Sequence, residues 1–170
     1  SWVGGVDMDF FNSSGHLRGR KAQLWEGGIR VPTVVWWPRH VPARVSNDTP
    51  TAFWDWYPTL TSVAGSKSSH LDGIDLWPLF TQEETISTRG LYWEHGNSQA
   101  YRKGSWKLLR IQTNKGIESK LFNLENDISE SNNLATKNPA QLSLMIEEAN
   151  AARTPSQEFT SFLDSLVVIE

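Results

Sequence analysis

Residues 19–32 read GRKAQLWEGGIRVP and place one lysine in a turn ahead of a glycine pair, before an apolar stretch begins. Gly19, Gly27 and Gly28 permit close approaches of backbone that a Cβ would forbid, and Lys21 offers a compact positive charge. That combination suits an oxyanion site. It equally suits a surface loop that leads into a buried strand. The apolar run that follows, residues 29–37 (IRVPTVVWW), is rich in β-branched side chains and nearly continuous, so it predicts a strand covered on both faces within an α/β sheet. Pro38 would end it.

Working outward, Asp55 is placed to cap a helix whose first turn tolerates Pro58, with Leu60, Val63 and Ala64 on one face and Gly65 as its stop. From Gly90 the pattern changes to short strand-like runs, LYWEH, QAYR, SWKLLRIQ and KLFNL, with a hairpin turn at Lys103-Gly104. Antiparallel pairing is the economical reading. Asn138-Pro139 then reads as an N-cap and first helical position, and Leu142, Met145, Ile146 and Ala149 recur at helical spacing, predicting a helix that covers one face of the small sheet. Two blocks result, residues 1–88 and 89–170. The connector at 125–133 carries three acidic residues, but it lacks both EF-hand spacing and a glycine for the sharp turn, which argues against calcium there. Residues 159–170 are apolar enough to dock on another surface.

Composition narrows the function. A chain of 170 residues with net charge −3 and scattered basic residues excludes a phosphate-backbone binder. No apolar run approaches the roughly 18 residues of a membrane span, and the N-terminus lacks signal-peptide features. The absence of cysteine excludes disulfides and thiolate metal sites. Of the nine tryptophans, Trp36, Trp54, Trp56, Trp77 and Trp106 lie in apolar runs and read as core. Trp2, Trp25 and Trp93 lie nearer loops that would line a substrate cleft.

The opening motif resembles the last active-site motif of the type I sulfatases, the arylsulfatase family of the alkaline phosphatase superfamily, through Lys21, Trp25, Glu26, Gly27, Gly28, Arg30 and Pro32. The preceding DFFNSSGHLRG (9–19), Trp37-Pro38, the run from Asp55 to Leu60, Ala64-Gly65, Asp72-Gly73-Ile74, the run from Arg102 to Leu108, and LFNLENDISESNNL (121–134) are also similar to family motifs in matching order. The resemblance implies the C-terminal part of an alkaline-phosphatase-like α/β fold, ending in a small antiparallel sheet packed by a C-terminal helix. It implies a sulfuric ester hydrolase acting on a sulfated carbohydrate or aryl sulfate, in a periplasmic, secreted or lysosomal setting. Phosphodiester or phosphonate hydrolysis within the same superfamily, and a non-catalytic carbohydrate-binding module, are the alternatives.

By the same resemblance, Lys21 binds the sulfate group and stabilises the transition state. From its place after a strand and before a Gly-Asn turn, His95 is expected to recognise the leaving group of the substrate, with Trp25 lining the substrate cleft and Arg18 contacting an anionic sugar, while Glu26 and Arg30 either support the site or form a local ion pair. Arg102 reads more simply as a structural salt bridge. The family's formylglycine nucleophile arises from a C/S-x-P-x-R motif, and its calcium is held by Asp and Asn residues. No serine stands in that context here and no cysteine exists, so the nucleophile and metal ligands are expected in a missing N-terminal half, and the chain alone is expected to be inactive.

Overall fold

The computed structural model describes residues 8–67, 69 and 71–164. Trp2 and the last part of the 159–170 segment lie outside the described residues. By packing, the chain divides into two units, one formed by residues up to Val31 with those from Arg89 onward, the other by Pro32–Thr88.

The first unit is built on a four-stranded antiparallel meander, β1 (Gly90–His95), β2 (Ser98–Lys103), β3 (Trp106–Thr113) and β4 (Gly116–Asn123), in the order β1-β2-β3-β4. The expected hairpin is present, since Lys103 pairs with Trp106 across Gly104 and Ser105. Gly104 supplies the positive φ of 59° that a two-residue loop demands. Helix α5 (Pro139–Ala151) follows Asn138 as expected and lies on one sheet face. Its Met145 and Ala149 join Tyr101, Leu108 and Leu121 in one core, with Leu142 and Ile146 packed at the margin. Two short helices, α1 (Met8–Phe11) and α2 (Glu26–Ile29), precede the sheet in sequence. Leu24, Trp25 and Ile29 pack on the opposite sheet face against Ala100, Leu109 and Phe122. Strand β3 is therefore covered on both sides, and Lys107, Leu108, Leu109 and Arg110 are all buried.

The second unit holds a 3-10 turn (Phe53–Asp55), α3 (Trp56–Val63) and α4 (Trp77–Thr81). Its centre is a polar staple. The buried Asp55 carboxylate accepts from the Ala52 N–H at 2.7 Å and the Ile74 N–H at 3.1 Å. Thr59 Oγ1 donates to the Asp55 carbonyl at 2.6 Å and accepts from the Leu76 N–H at 2.8 Å. Asp55 thus precedes α3 as expected, but its carboxylate joins the staple instead of capping that helix. The predicted apolar face is corrected too: Leu60 is exposed, and Pro58 and Thr59 are the buried residues of α3.

One larger expectation fails. Residues 30–37 form no strand, residues 26–29 being helical, and Val34 and Trp36 are 88% and 85% exposed. A strand needs a neighbour to take up its backbone N–H and C=O groups, and none pairs with this run among the described residues. Trp36 is accordingly not core, whereas Trp54, Trp56, Trp77 and Trp106 are half-buried. No helix among the described residues is long and apolar enough to cross a membrane.

Candidate functional site

Strand register puts residues in rows across the face opposite α5, because cross-strand partners share a face. Leu91, Arg102, Lys107 and Phe122 form the first row, Trp93, Ala100, Leu109 and Lys120 the second, and His95, Ser98, Ile111 and Glu118 the third. Segment 18–30 packs on this face, with the Trp25 ring tilted against Phe122 at 5.7 Å between ring centroids.

Under that segment lies a cluster of charges. Lys107, entirely buried, has its Nζ 2.9 Å from Glu26 Oε1 and 2.7 Å from Glu130 Oε1. The first contact is an aligned hydrogen bond; the second is an ion pair without hydrogen-bond alignment. Glu130 Oε2 accepts the Glu26 N–H at 2.7 Å, so it satisfies a donor at the start of α2. Arg30 Nε and Arg102 Nη1 reach Glu26 Oε2 at 3.1 and 3.4 Å. Both readings of Arg102 and the Glu26–Arg30 pair as structural ion pairs therefore have geometry behind them. Burial works to raise the Glu26 carboxyl, but Lys107, Arg102 and Arg30 outweigh it and hold it below the ordinary range. Burial wins at Glu130, whose carboxyl is raised although Lys107 and the Glu26 N–H oppose the shift.

Lys21 sits five residues before this cluster and differs from it in every respect. It is exposed and has no hydrogen-bond or ion-pair partner among the described residues. Its turn is nonetheless tightly made. Gln23 N–H donates to the Arg20 carbonyl at 3.0 Å, and Gln23 Oε1 accepts from the Arg20 N–H at 3.1 Å. Ala22 beside it has φ of 68°, a left-handed conformation that L-alanine adopts only under constraint. The constraint is visible in the glycine pair: a Cβ on Gly28 would stand 2.0 Å from the Gln23 carbonyl oxygen and 2.5 Å from that of Arg20. Only glycine lets the turn close onto α2.

The remaining expected site residues divide. Arg18 and Trp25 come together with the Lys21 turn, the Arg18 guanidinium lying 3.8 Å over the Trp25 ring while its Nη1 donates to the Glu130 carbonyl at 2.9 Å. His95 is exposed at the end of β1, on the same sheet face but two rows from Arg102. No group of three or more Asp, Glu or His side chains among the described residues is arranged to hold a metal ion. In the connector at 125–133, Asp127 instead accepts from the Ser131 and Asn132 N–H groups, and Glu130 turns inward. Lys107 and Glu130 carry no local sign of their roles. The one available signal is that Lys107 shares a strand face with Leu109 and Ile111, which marks it as inward-facing.

Residues 8–66 match the family profile described as Sulfatase. The chain is 37% identical over 89 residues to steryl-sulfatase of Homo sapiens, an alignment covering 51% of this chain and 15% of that one. It is 31% identical over 132 residues to arylsulfatase G of Canis lupus familiaris, covering 65% and 25% respectively. The chain thus spans a quarter or less of the length of these relatives. Among solved structures, Ps i-CgsB in complex with k-i-k-neocarrahexaose superposes with a TM-score of 0.69 at 36% identity, over 79% of this chain and 31% of that one. A further structure, described as belonging to glycosaminoglycan metabolism in Bacteroides thetaiotaomicron, shares the fold with a TM-score of 0.67 at 22% identity.

Proposed function

As the chain belongs to the sulfatase family, we propose that it serves sulfuric ester hydrolysis, with Lys21 as the residue that binds the sulfate oxygens. The observation that carries this reading is Lys21 itself, a solvent-open cation without a counter-ion among the described residues, held on a turn that glycine-only packing and a left-handed Ala22 make rigid. Charge spreads over the sulfate oxygens as the ester bond breaks, and a cation already in place needs no reorganisation to stabilise it. An anion is the ligand such a group awaits.

His95 and the exposed edge of the Arg18–Trp25 stack are the contacts assigned to the leaving-group side, which is a sulfated sugar or an aryl group. Arg18 contributes less than Lys21 in this reading, because part of its donor fork is already engaged by Glu130. The calcium and formylglycine that the family resemblance implies find no ligand set among the described residues and no precursor motif in this sequence. In this proposal both come from an N-terminal portion of the polypeptide, and the protein works in a secreted, periplasmic or lysosomal compartment.

The test is kinetic. In the full-length polypeptide, Lys21→Ala should lower kcat/KM for 4-nitrophenyl sulfate by roughly a hundredfold while the melting temperature stays close to that of the parent. Wild-type efficiency in the variant would remove Lys21 from the site. A parent enzyme that hydrolyses a phosphodiester faster than the sulfate would overturn the reaction assignment.

A further inference from the structure

We propose that Glu130 is a positioning residue for Lys21, holding both ends of the loop that presents it. The inference rests on the sulfate-binding reading of Lys21 and adds a residue far away in sequence to that site.

Lys21 lies between Arg18 and Glu26, and both are tied to the same residue. The Glu130 carbonyl accepts from Arg18 Nη1 at 2.9 Å, at the start of the loop. The Glu130 carboxylate accepts from the Glu26 N–H at 2.7 Å, at its end. The Gly27 N–H donates to the Arg18 carbonyl at 2.7 Å and closes the loop on itself. Lys21 therefore stands at the tip of a clamped ring whose base is one glutamate of the 125–133 connector, on the same sheet face as the loop.

The clamp is directional. Glu130 is fully buried and has φ of 55°, a left-handed conformation unfavourable for glutamate. Both features cost free energy that an apolar residue would not incur, and replacing buried ion pairs by apolar groups is often neutral or stabilising. Adhesion of the loop to the sheet is already supplied by Leu24, Trp25 and Ile29. What apolar contacts do not supply is registry along the sheet. Lys107 fixes the Glu130 carboxylate from one side and Glu26 from the other, so the start of α2 has one position, and the Lys21 turn packed on the glycines of α2 inherits it.

A double-mutant cycle in the full-length enzyme decides the matter, with 4-nitrophenyl sulfate as substrate below the melting temperature of every variant. Glu130→Ala should lower kcat/KM by roughly tenfold to a hundredfold, since a reacting group misplaced by about 1 Å costs on that order. Combined with Lys21→Ala, it should add little further loss, because a clamp has no effect once the lysine it places is gone. Should Glu130→Ala fail to fold, Glu130→Gln keeps the volume and an acceptor for the Glu26 N–H while removing the charge paired with Lys107, and the same cycle is run with it. Losses that multiply, or a lowered melting temperature with unchanged kcat/KM, would overturn the clamp and leave Lys21 untouched. Wild-type kinetics for Lys21→Ala would instead bring down the parent reading.

Discussion

Lys21 and Lys107 are the same side chain placed at opposite extremes. One is open to solvent without a partner among the described residues; the other is wholly buried between two carboxylates. A field that is cancelled at its source cannot act on a ligand, so Lys107 holds structure, and the proposed anion site rests on Lys21, whose charge is not cancelled by a neighbour among the described residues. The contrast teaches that exposure and rigidity are separate properties. Lys21 is exposed yet held, and the means of holding it lie in the buried group.

The largest effect that would break this comparison is at Lys107. Replacing it by alanine strands Glu26 and Glu130 in the interior without their shared cation, and breaking a buried pair in that way typically costs about 3–5 kcal/mol. The urea midpoint of the variant should fall accordingly. A midpoint within error of the parent would mean that water reaches the cluster and that burial there is less complete than the packing implies.

Next in size is the exchange of cation type at the exposed position. Lys21→Arg keeps the charge but spreads it over a plane, so it should recover part of the roughly hundredfold loss in kcat/KM of Lys21→Ala without restoring the parent rate. Full restoration would show that charge alone matters and that the rigid turn is incidental.

The two lysines also mark how far the sequence could be read. The turn with Lys21, the hairpin at Gly104 and helix α5 were legible because each depends on local chemistry: glycine at a close approach, glycine at positive φ, and apolar residues at helical spacing behind Asn138-Pro139. The cluster was not, because its partners stand 81 and 104 residues apart and a glutamate in a polar connector looks solvated until the chain folds. Run 29–37 failed for the reverse reason. Its composition is that of an interior strand, but composition cannot provide a pairing neighbour, and Val34 and Trp36 are exposed with none among the described residues. The register of β3 with its neighbours, once known, would have exposed Lys107 at once, since it falls in a row with Phe122.

Acid should separate the two carboxylates of the cluster. Glu26 is held below its ordinary value of 4.5, so its contribution is present above that value and lost as pH falls through the lowered one. Glu130 is raised above 4.5, so its ionisation opposes folding, and acidification through its raised value recovers stability. Glu26→Gln should therefore flatten the loss of stability below pH 4.5. Glu130→Gln should remove the gain above it. Urea midpoints taken across the acid range for both variants check the signs, and identical profiles would show that the carboxylates titrate as one unit.

The smallest expected effect sharpens the comparison from the other side. Lys103 pairs with Glu148 between β2 and α5, but their side chains are 42% and 24% exposed, so solvent and salt screen the attraction and little is lost on breaking it. Glu148 also keeps a second partner, the Tyr101 hydroxyl at 3.4 Å, which stays when Lys103 is removed. Lys103→Ala should cost less than about 1 kcal/mol and shrink further in high salt. Lys107→Ala, on the same sheet, should keep most of its cost at the same salt concentration because no ions enter the cluster. If the two lysines responded alike to salt, the distinction between a buried structural charge and a surface one would collapse, and with it the reason for assigning Lys21 rather than Lys107 to the ligand.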